Sequence, residues 1–274
     1  MPAKAMLSDT PPLSATPLSA TPPSAPARRR RHGVSAVEVL AIVIFTAMVT
    51  IVGTTKYQRD ADPVIQELKR SYGPDRVTQW HEEWIIRDFF KDRKGGVFLD
   101  VGANHYKTRS NTYFLESRLG WSGLAVDAIE EYGADYKTHR PQTRYVAMFA
   151  SDVDSGKVRF FIGENALVSS VDPEFAKRNG GVQQTREVPT ATLNTLLDQA
   201  GLIRIDFLSM DIELAEPKAL AGFDIARFKP ELVCIEGHAE VRQQILDYFG
   251  RHGYVPVGKY LWADQHNLYF QPLR

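Results

Sequence analysis

The stretch "GVFLDVGANHYKTRSNTYFLESRLGWSGLAVDA", residues 96–128, contains two apolar runs that each end at an aspartate. Short apolar runs bounded by turn residues are typical of buried strands. Asp100 ends the first run and Asp127 ends the second, with a helical pattern between them. In an open α/β sheet, the carboxyl ends of neighbouring parallel strands form the ligand crevice. We therefore expect both aspartates to lie in one binding site.

Strand-like and helical patterns alternate after residue 96, which predicts an α/β fold with a mostly parallel sheet and helices on both faces. The last two candidate strands are separated only by a loop, so an antiparallel edge is expected. Helical patterns occupy residues 62–73, 76–95, 191–201 and 239–253. The candidate strands are Val97–Val101, Gly123–Asp127, Arg144–Phe149, Val158–Ile162, Ile205–Met210, Glu231–Glu236, Tyr254–Val257 and Asn267–Gln271.

The N-terminal part of the sequence differs from the rest. Residues 1–33 are rich in Pro, Ser, Thr and Ala and carry a basic run, which predicts a disordered tail. Residues 34–53 contain Glu38 as their only charge and match the ~20 apolar residues of a transmembrane helix. A linker at 54–74 and a globular domain at 75–274 are expected to follow. A buried core helix, a cleaved signal peptide and a type IV prepilin start are alternative interpretations of residues 34–53.

The charge distribution argues against a nucleic-acid partner. The net charge is zero, with +4 in residues 1–33 and −4 in the remainder, so the domain offers no basic stripe for a phosphate backbone. Cys234 is the single cysteine, and no internal disulfide can form. Its apolar surroundings in "ELVCIE" predict a buried side chain, which fits a reducing compartment.

The residues that follow the candidate strands indicate a nucleoside cofactor. Gly102 and Ala103 allow a ligand close to the backbone, and Asn104 adds a donor and an acceptor. Asp127 is placed to accept both hydroxyls of a ribose. The G-x-G-x-x-G pattern of dinucleotide sites is missing, and Asp100 would repel a pyrophosphate but attract the amine and sulfonium of S-adenosylmethionine. We therefore expect S-adenosylmethionine rather than NAD; strand-end acids that only cap helices are the alternative.

A longer set of motifs resembles the FkbM family of S-adenosylmethionine-dependent methyltransferases. The motifs include "TQWHEEWIIRDFF", "GGVFLDVGAN", "SNTYFLESRLGWSGLAVDA", "RIDFLSMDIELAEPKALAGF" and "ELVCIEGH", in order from about residue 75 to 272. The resemblance implies a class I Rossmann-like fold with a seven-stranded sheet, and methylation of hydroxyl oxygens on sugars, macrolides and related metabolites. It also implies that the cofactor is held by Asp100, Gly102, Ala103, Asn104, Asp127, Gln79, Ser110 and Asn111, with Asp152 at the adenine edge.

The sequence departs from the usual motifs of this family at three places. Leu214 replaces a glycine that permits a tight turn in the usual "D-V-E-G-A-E". His105 and Tyr106 follow Asn104 where Asp-Gly is usual, and Asp127 with Ala128 replaces the common Glu-Pro. These changes leave the expected cofactor site intact, and they fall mainly on the acceptor side.

Methyl transfer to oxygen requires an acceptor aligned with the sulfonium and a group that removes a proton. Histidine ordinarily has a pKa near neutrality, so His238 is the candidate best suited to act as a base near neutral pH. Alternatives are acids that cap a helix or pair with arginine, and a divalent cation bound by the same side chains, which we favour less; no metal is assigned. The candidate catalytic residues follow two successive strands of the predicted sheet: Asp211, Glu213, Glu236 and His238.

The sequence therefore predicts a single-pass membrane protein with an S-adenosylmethionine-dependent O-methyltransferase domain. A membrane tether suggests a sugar, a lipid-linked saccharide or a related metabolite as acceptor. The arginine run before residue 34 favours a cytoplasmic tail, whereas the cytosolic origin of the cofactor favours a cytosolic domain, and we expect the latter. An NAD(P)-dependent sugar-modifying oxidoreductase and a non-catalytic membrane-tethered module of the same fold are the alternative functions.

Overall fold

The computed structural model describes residues 62–274, along which helices and strands alternate as expected. The strands are β1 (Val97–Val101), β2 (Ser122–Asp127), β3 (Thr143–Ala147), β4 (Phe149–Ala150), β5 (Lys157–Gly163), β6 (Val182–Ala191), β7 (Phe207–Met210), β8 (Leu232–Glu236), β9 (Tyr254–Pro256) and β10 (Asn267–Pro272). The α-helices are α1 (Pro63–Tyr72), α2 (Glu82–Phe90), α3 (Tyr113–Leu119), α4 (Tyr132–His139), α5 (Pro173–Arg178), α6 (Leu193–Ala200), α7 (Glu216–Ala221), α8 (Ile225–Phe228) and α9 (Arg242–Arg251). Two 3₁₀-helices span Ala166–Val168 and Gly258–Tyr260.

The main sheet has seven strands in the order β3-β2-β1-β7-β8-β10-β9, which confirms a mostly parallel sheet. Only β10 runs against its neighbours β8 and β9. The antiparallel strand therefore lies one position inside the edge, and β9 forms the edge itself. Because β1 pairs with β2 on one side and β7 on the other, the chain reverses its strand order at β1, where a ligand crevice opens in such sheets.

The apolar run of β1 is buried on both faces of the sheet. Leu99 and Val101 pack in one core cluster together with helices α6 and α9. Phe98 points to the opposite face and packs with Trp84 of α2 and Leu115 of α3. Burial on both faces explains why a parallel strand needs a continuous apolar sequence rather than an alternating one.

A second, three-stranded sheet has the order β4-β6-β5. The expected strand Arg144–Phe149 divides into β3, which joins the main sheet, and β4, which joins the small one. Strand β5 was expected in the main sheet, and β6 was not predicted. Most side chains in the first half of β6 are exposed and polar, so its sequence lacks the apolar run that indicates a strand.

Helix α1 lies within the segment 54–74 that was expected to be a linker. Asp62 caps it by accepting a hydrogen bond from the amide of Val64 at 2.8 Å. Ile65 and Leu68 are buried in the cluster that contains α2, so this helix packs with the residues of the domain expected at 75–274. The predicted tail at 1–33 and the predicted transmembrane helix at 34–53 lie outside the described residues. Within residues 62–274, no helix combines the length and apolarity needed to cross a bilayer.

Gly102, in the loop after β1, lies against the backbone of the loop after β7. Its φ of +79° is in the left-handed region, and a Cβ added there would lie 1.7 Å from the carbonyl oxygen of Asp211. No residue with a side chain fits this position without moving one of the two loops.

We predict that Gly102→Ala destabilises the protein far more than Gly120→Ala. Gly120, after α3, also has a positive φ of +66°, but no atom lies within 4 Å of its added Cβ. Left-handed backbone strain destabilises both variants by ~1–2 kcal/mol. In Gly102→Ala, the overlap with the Asp211 carbonyl lowers stability by roughly a further 2–3 kcal/mol or more. Chemical denaturation of the two variants measures the difference, and equal losses would contradict the contact.

Candidate active site

A cleft of about 860 Å³, open to solvent at its mouth, lies beyond the carboxyl ends of β1, β2 and β7. Its lining includes every predicted cofactor-binding residue except Asp152, together with two of the candidate catalytic residues, Asp211 and Glu213. The lining residues among the predicted ones are Gln79, Asp100, Gly102, Ala103, Asn104, Ser110, Asn111, Asp127, Asp211 and Glu213.

Asp100 is held in place by hydrogen bonds from buried neighbours. Its Oδ2 accepts a hydrogen bond from the hydroxyl of Thr112 at 2.7 Å, and Arg140 donates to the same hydroxyl at 3.1 Å. Burial raises the pKa of Asp100, while Thr112 and the charge of Arg140 act in the opposite direction. The carboxylate is therefore oriented before any ligand binds.

Arg140 and Glu116 form a buried ion pair beneath this network that the sequence analysis missed. Arg140 also donates to the backbone carbonyl of Tyr106 at 2.8 Å and so ties down the loop after β1. Arg140 is only 1% exposed, which is rare for an unpaired arginine but common for one in an ion pair. One arginine after α4 and one glutamate within α3 form no recognisable motif, so no sequence signal distinguishes this pair.

Asp127 closes the other side of the cleft. Its Oδ2 accepts from the amide of Asn104 at 2.8 Å, and its Oδ1 accepts from the amide of Ile129 at 2.9 Å. Burial, with a smaller contribution from the charge of Asp100, raises its pKa to about 6. Because each carboxylate oxygen accepts more than one hydrogen bond, both remain able to bind the two hydroxyls of a ribose.

Gln79, Ser110 and Asn111 reach the cleft through local backbone and side-chain bonds. The amide of Arg109 donates to the carbonyl of Val77 at 2.9 Å, which brings the Gln79 segment beside the loop after β1. Ser110 Oγ accepts from the amide of Tyr113 at 3.1 Å, at the start of α3. Asn111 donates to the hydroxyl of Ser209 on β7 at 3.1 Å.

Apolar side chains form one wall of the cleft, and part of this wall comes from the small sheet. Such a wall suits the flat ring of an adenine. The wall consists of Ile129, Met148, Phe149, Ala150, Phe160, Ala166 and Leu167.

Asp152, the weaker candidate at the adenine edge, does not line the cleft. The chain turns away after β4, and Asp152 lies half-exposed, 3.7 Å from the ammonium of Lys218. Its carboxylate also accepts a hydrogen bond from the hydroxyl of Ser151 at 3.0 Å. The sequence placed it correctly after a strand, but that strand belongs to the small sheet.

The structure brings the four candidate catalytic residues together. His238 Nε2 lies 3.0 Å from Glu213 Oε2 and 2.9 Å from Glu236 Oε2, and the first contact has hydrogen-bond geometry. Asp211 and Glu213 line the cleft, whereas Glu236 and His238 line an adjoining pocket.

The protonation of these residues differs from the sequence expectation. Its contacts with Glu213 and Glu236 raise the pKa of His238 to about 10, which favours the cationic form at neutral pH and argues against the expected role as base. Asp211 is exposed to the cleft but enclosed by protein elsewhere. This burial, followed by the charges of Glu236 and Glu213, raises its pKa well above the ordinary value. Asp211 and Glu213 are thus the two candidate catalytic carboxylates that face the cleft.

The turn after β7 keeps the shape that the missing glycine would permit. Leu214 has a φ of +79° and Glu213 a φ of +53°, both in the left-handed region. Such strain costs roughly 1–2 kcal/mol per residue. The hydroxyl of Ser170 donates to the carbonyl of Glu213 at 2.8 Å, and Leu214 packs against the main core. The replacement of glycine by leucine therefore leaves the turn intact.

His105, which also differs from the family motif, stabilises the turn in which it lies. The Nδ1 atom of His105 lies 3.1 Å from the amide of Lys107 and 3.0 Å from that of Thr108, and it accepts hydrogen bonds from both. The ring of Tyr106 stacks on His139 with centroids 4.5 Å apart. These contacts replace the turn that Asp-Gly would form and place two aromatic side chains beside the loop.

Residues 100–256 match the methyltransferase FkbM domain. The chain belongs to the FkbM methyltransferase family. It is accordingly an S-adenosylmethionine-dependent methyltransferase with a class I Rossmann-like α/β fold, and S-adenosylmethionine is its cofactor. The cleft fits this cofactor: Asp127 suits the ribose, the apolar wall suits the adenine, and Asp100 suits the cationic amine.

Comparison with the sequences of curated proteins gives no match. Among solved structures, the FkbM protein is similar to a precorrin-6y C5,15-methyltransferase from Geobacter metallireducens, with 10% identity, a TM-score of 0.40, and coverage of 72% of this chain and 90% of that one. It is also similar to a 1,6-didemethyltoxoflavin-N1-methyltransferase from Burkholderia thailandensis with bound S-adenosylhomocysteine. The second pair shares 14% identity and a TM-score of 0.37 over 88% of this chain and 92% of that one. Similarities at this level do not extend to substrate or mechanism.

We predict that Asp127→Asn weakens cofactor binding, whereas Asp152→Asn does not. Asparagine has one acceptor oxygen in place of two, so its amide nitrogen would face a backbone N–H and could not accept from a ribose hydroxyl. Loss of a charge-assisted hydrogen bond of about 1.5–3 kcal/mol corresponds to roughly 10- to 150-fold weaker binding. Calorimetry with S-adenosylhomocysteine measures the effect. Equal affinities for the two variants would show that Asp127 does not contact the nucleoside.

Proposed function

We propose that the FkbM domain methylates a hydroxyl oxygen of a sugar, a lipid-linked saccharide or a related metabolite. The observation that supports this most directly is the backbone contact between Gly102 and Asp211. It puts the candidate proton acceptor directly beside the loop that holds the cofactor. A hydroxyl seated against Asp211 would therefore also be next to the cofactor, as in-line displacement requires.

Bound S-adenosylmethionine supplies an electrophilic methyl group, and the protein's own residues must position the acceptor and take its proton. Asp211 is the favoured base because it lines the cleft and directly follows β7, the strand next to β1. Glu213, two residues after Asp211, forms a hydrogen bond with His238. His238, as a cation, stabilises the carboxylates around Asp211 rather than accepting the proton.

We further propose that residues 34–53 anchor the enzyme in a membrane as a single transmembrane helix, with the domain in the cytosol. The length and near absence of charge in this segment support the anchor. The cytosolic supply of S-adenosylmethionine supports the orientation. An acceptor that resides in or at the membrane, such as a lipid-linked saccharide, would meet a tethered enzyme at high effective concentration.

We predict that the full-length protein transfers a labelled methyl group from S-adenosylmethionine to an acceptor in a membrane and metabolite extract. Identification of the product by mass spectrometry should show an O-methyl group. Asp211→Asn should lower the rate at least ~100-fold while cofactor affinity stays within a few-fold, because general-base catalysis contributes about 10²–10⁴. Asp152→Asn serves as the control and should keep its rate. Methylation of nitrogen or carbon, or full activity of Asp211→Asn, would contradict the proposal.

The membrane proposal has its own test. In sealed vesicles whose cytosolic face points outward, added protease should digest the C-terminal domain without detergent. A variant without residues 34–53 should leave the membrane fraction. Resistance of the domain until detergent is added would overturn the orientation, and a soluble full-length protein would overturn the anchor.

A further inference from the structure

An excess of negative charge gathers where the loops after β7 and β8 meet the start of α7. Four acids lie close enough for their negative charges to repel one another: Asp211, Glu213, Glu216 and Glu236. The nearest cation, His238, pairs with only two of them, Glu213 and Glu236. Buried carboxylates are normally paired with cations or bound to metals. This group is therefore incomplete without a further positive charge.

Glu216 is the most deeply buried acid of this group. It is 0% exposed, and its Oε1 accepts from the amide of Ile212 at 3.0 Å. Its Oε2 is buried and has no hydrogen-bond partner among residues 62–274. An unpartnered carboxylate oxygen costs several kcal/mol unless something positive occupies the space beside it.

Three of the acids present oxygens with the spacing of a cation site. One carboxylate oxygen each from Asp211, Glu216 and Glu236 lies within 4.8 Å of the other two. A second group of similar spacing contains Glu213, Glu236 and His238, but its imidazole nitrogen already contacts two carboxylates. The first group has oxygen ligands only, which suits a hard divalent cation.

We propose that Asp211, Glu216 and Glu236 bind a divalent cation of the magnesium, manganese or calcium class. An ion is a better occupant than an organic amine because three carboxylate oxygens within 4.8 Å of one another can all bind a single atom at their centre. The ion would enter from the cleft, since Asp211 lines it.

The catalytic consequence of this site rests on the proposed function. A divalent cation at Asp211 would bind the acceptor hydroxyl and lower its pKa. One oxygen of Asp211 would then ligate the ion, and the other would receive the proton as the oxygen attacks the methyl group. A vicinal diol, as found on many sugars, would offer the ion two oxygens.

Binding of Mn²⁺ to the full-length protein in detergent tests the site without any methyl transfer. Electron paramagnetic resonance should show one saturable Mn²⁺ site that Mg²⁺ or Ca²⁺ competes for. Glu216→Gln should weaken Mn²⁺ binding at least tenfold. Glu82→Gln is the matched control, because Glu82 is also a buried glutamate whose pKa is raised to about 7, by burial and by Asp264 rather than by this group, and its affinity should stay within twofold.

Unchanged circular dichroism and unchanged S-adenosylhomocysteine affinity would show that both variants are folded. Absence of a saturable Mn²⁺ site in the wild-type protein would overturn the proposal. Equal Mn²⁺ affinity of Glu216→Gln and the wild type would also overturn it. Because the readout is metal binding, a failed methyl-transfer assay alone would refute the proposed function and leave the cation site standing.

Discussion

The contact between the backbone of Gly102 and the carbonyl of Asp211 governs the rest of the site. It requires a glycine after β1 and a turn after β7 that carries the Asp211 carbonyl inward. Because these two strands lie side by side in the sheet, the contact closes the crevice between them on one side only. The cofactor loop and the catalytic turn therefore cannot shift independently, and any displacement of one is transmitted to the other.

The site contains several acidic side chains, and only some of them are paired with a cation. Arg140 lowers the cost of ionised Asp100 and Glu116, and His238 does the same for Glu213 and Glu236. No comparable cation in the described domain is seen to pair with Asp127 or Glu216, whose pKa values rise to about 6 and about 7. A protein that keeps such groups sacrifices folding stability, which is typical of sites whose charge is completed by a ligand.

The sequence predicted the parts of the fold that depend on continuous apolar runs. The strands of the main sheet were found because both faces are buried, whereas β6 was missed because most side chains in its first half are polar and exposed. The predicted cofactor residues that follow main-sheet strands line the cleft, whereas Asp152 lies outside it because its strand belongs to the small sheet. The protonation of His238 depends on Glu213, which is 25 positions away, and no local pattern contains that information.

One departure from the family motifs, Leu214, falls where the small sheet meets the turn after β7. Leu214 adopts a glycine-like conformation at an energetic cost, and burial of its side chain in the main core offsets part of that cost. The bond from Ser170 to the carbonyl of Glu213 fixes the strained turn from the other side. Ser170 also pairs with Phe161 of β5, and the adjacent segment lines the cleft. The segment 166–170 beside the cleft and the turn that carries Asp211 are thus joined by one hydrogen bond, so a sequence change in this segment would also displace the turn.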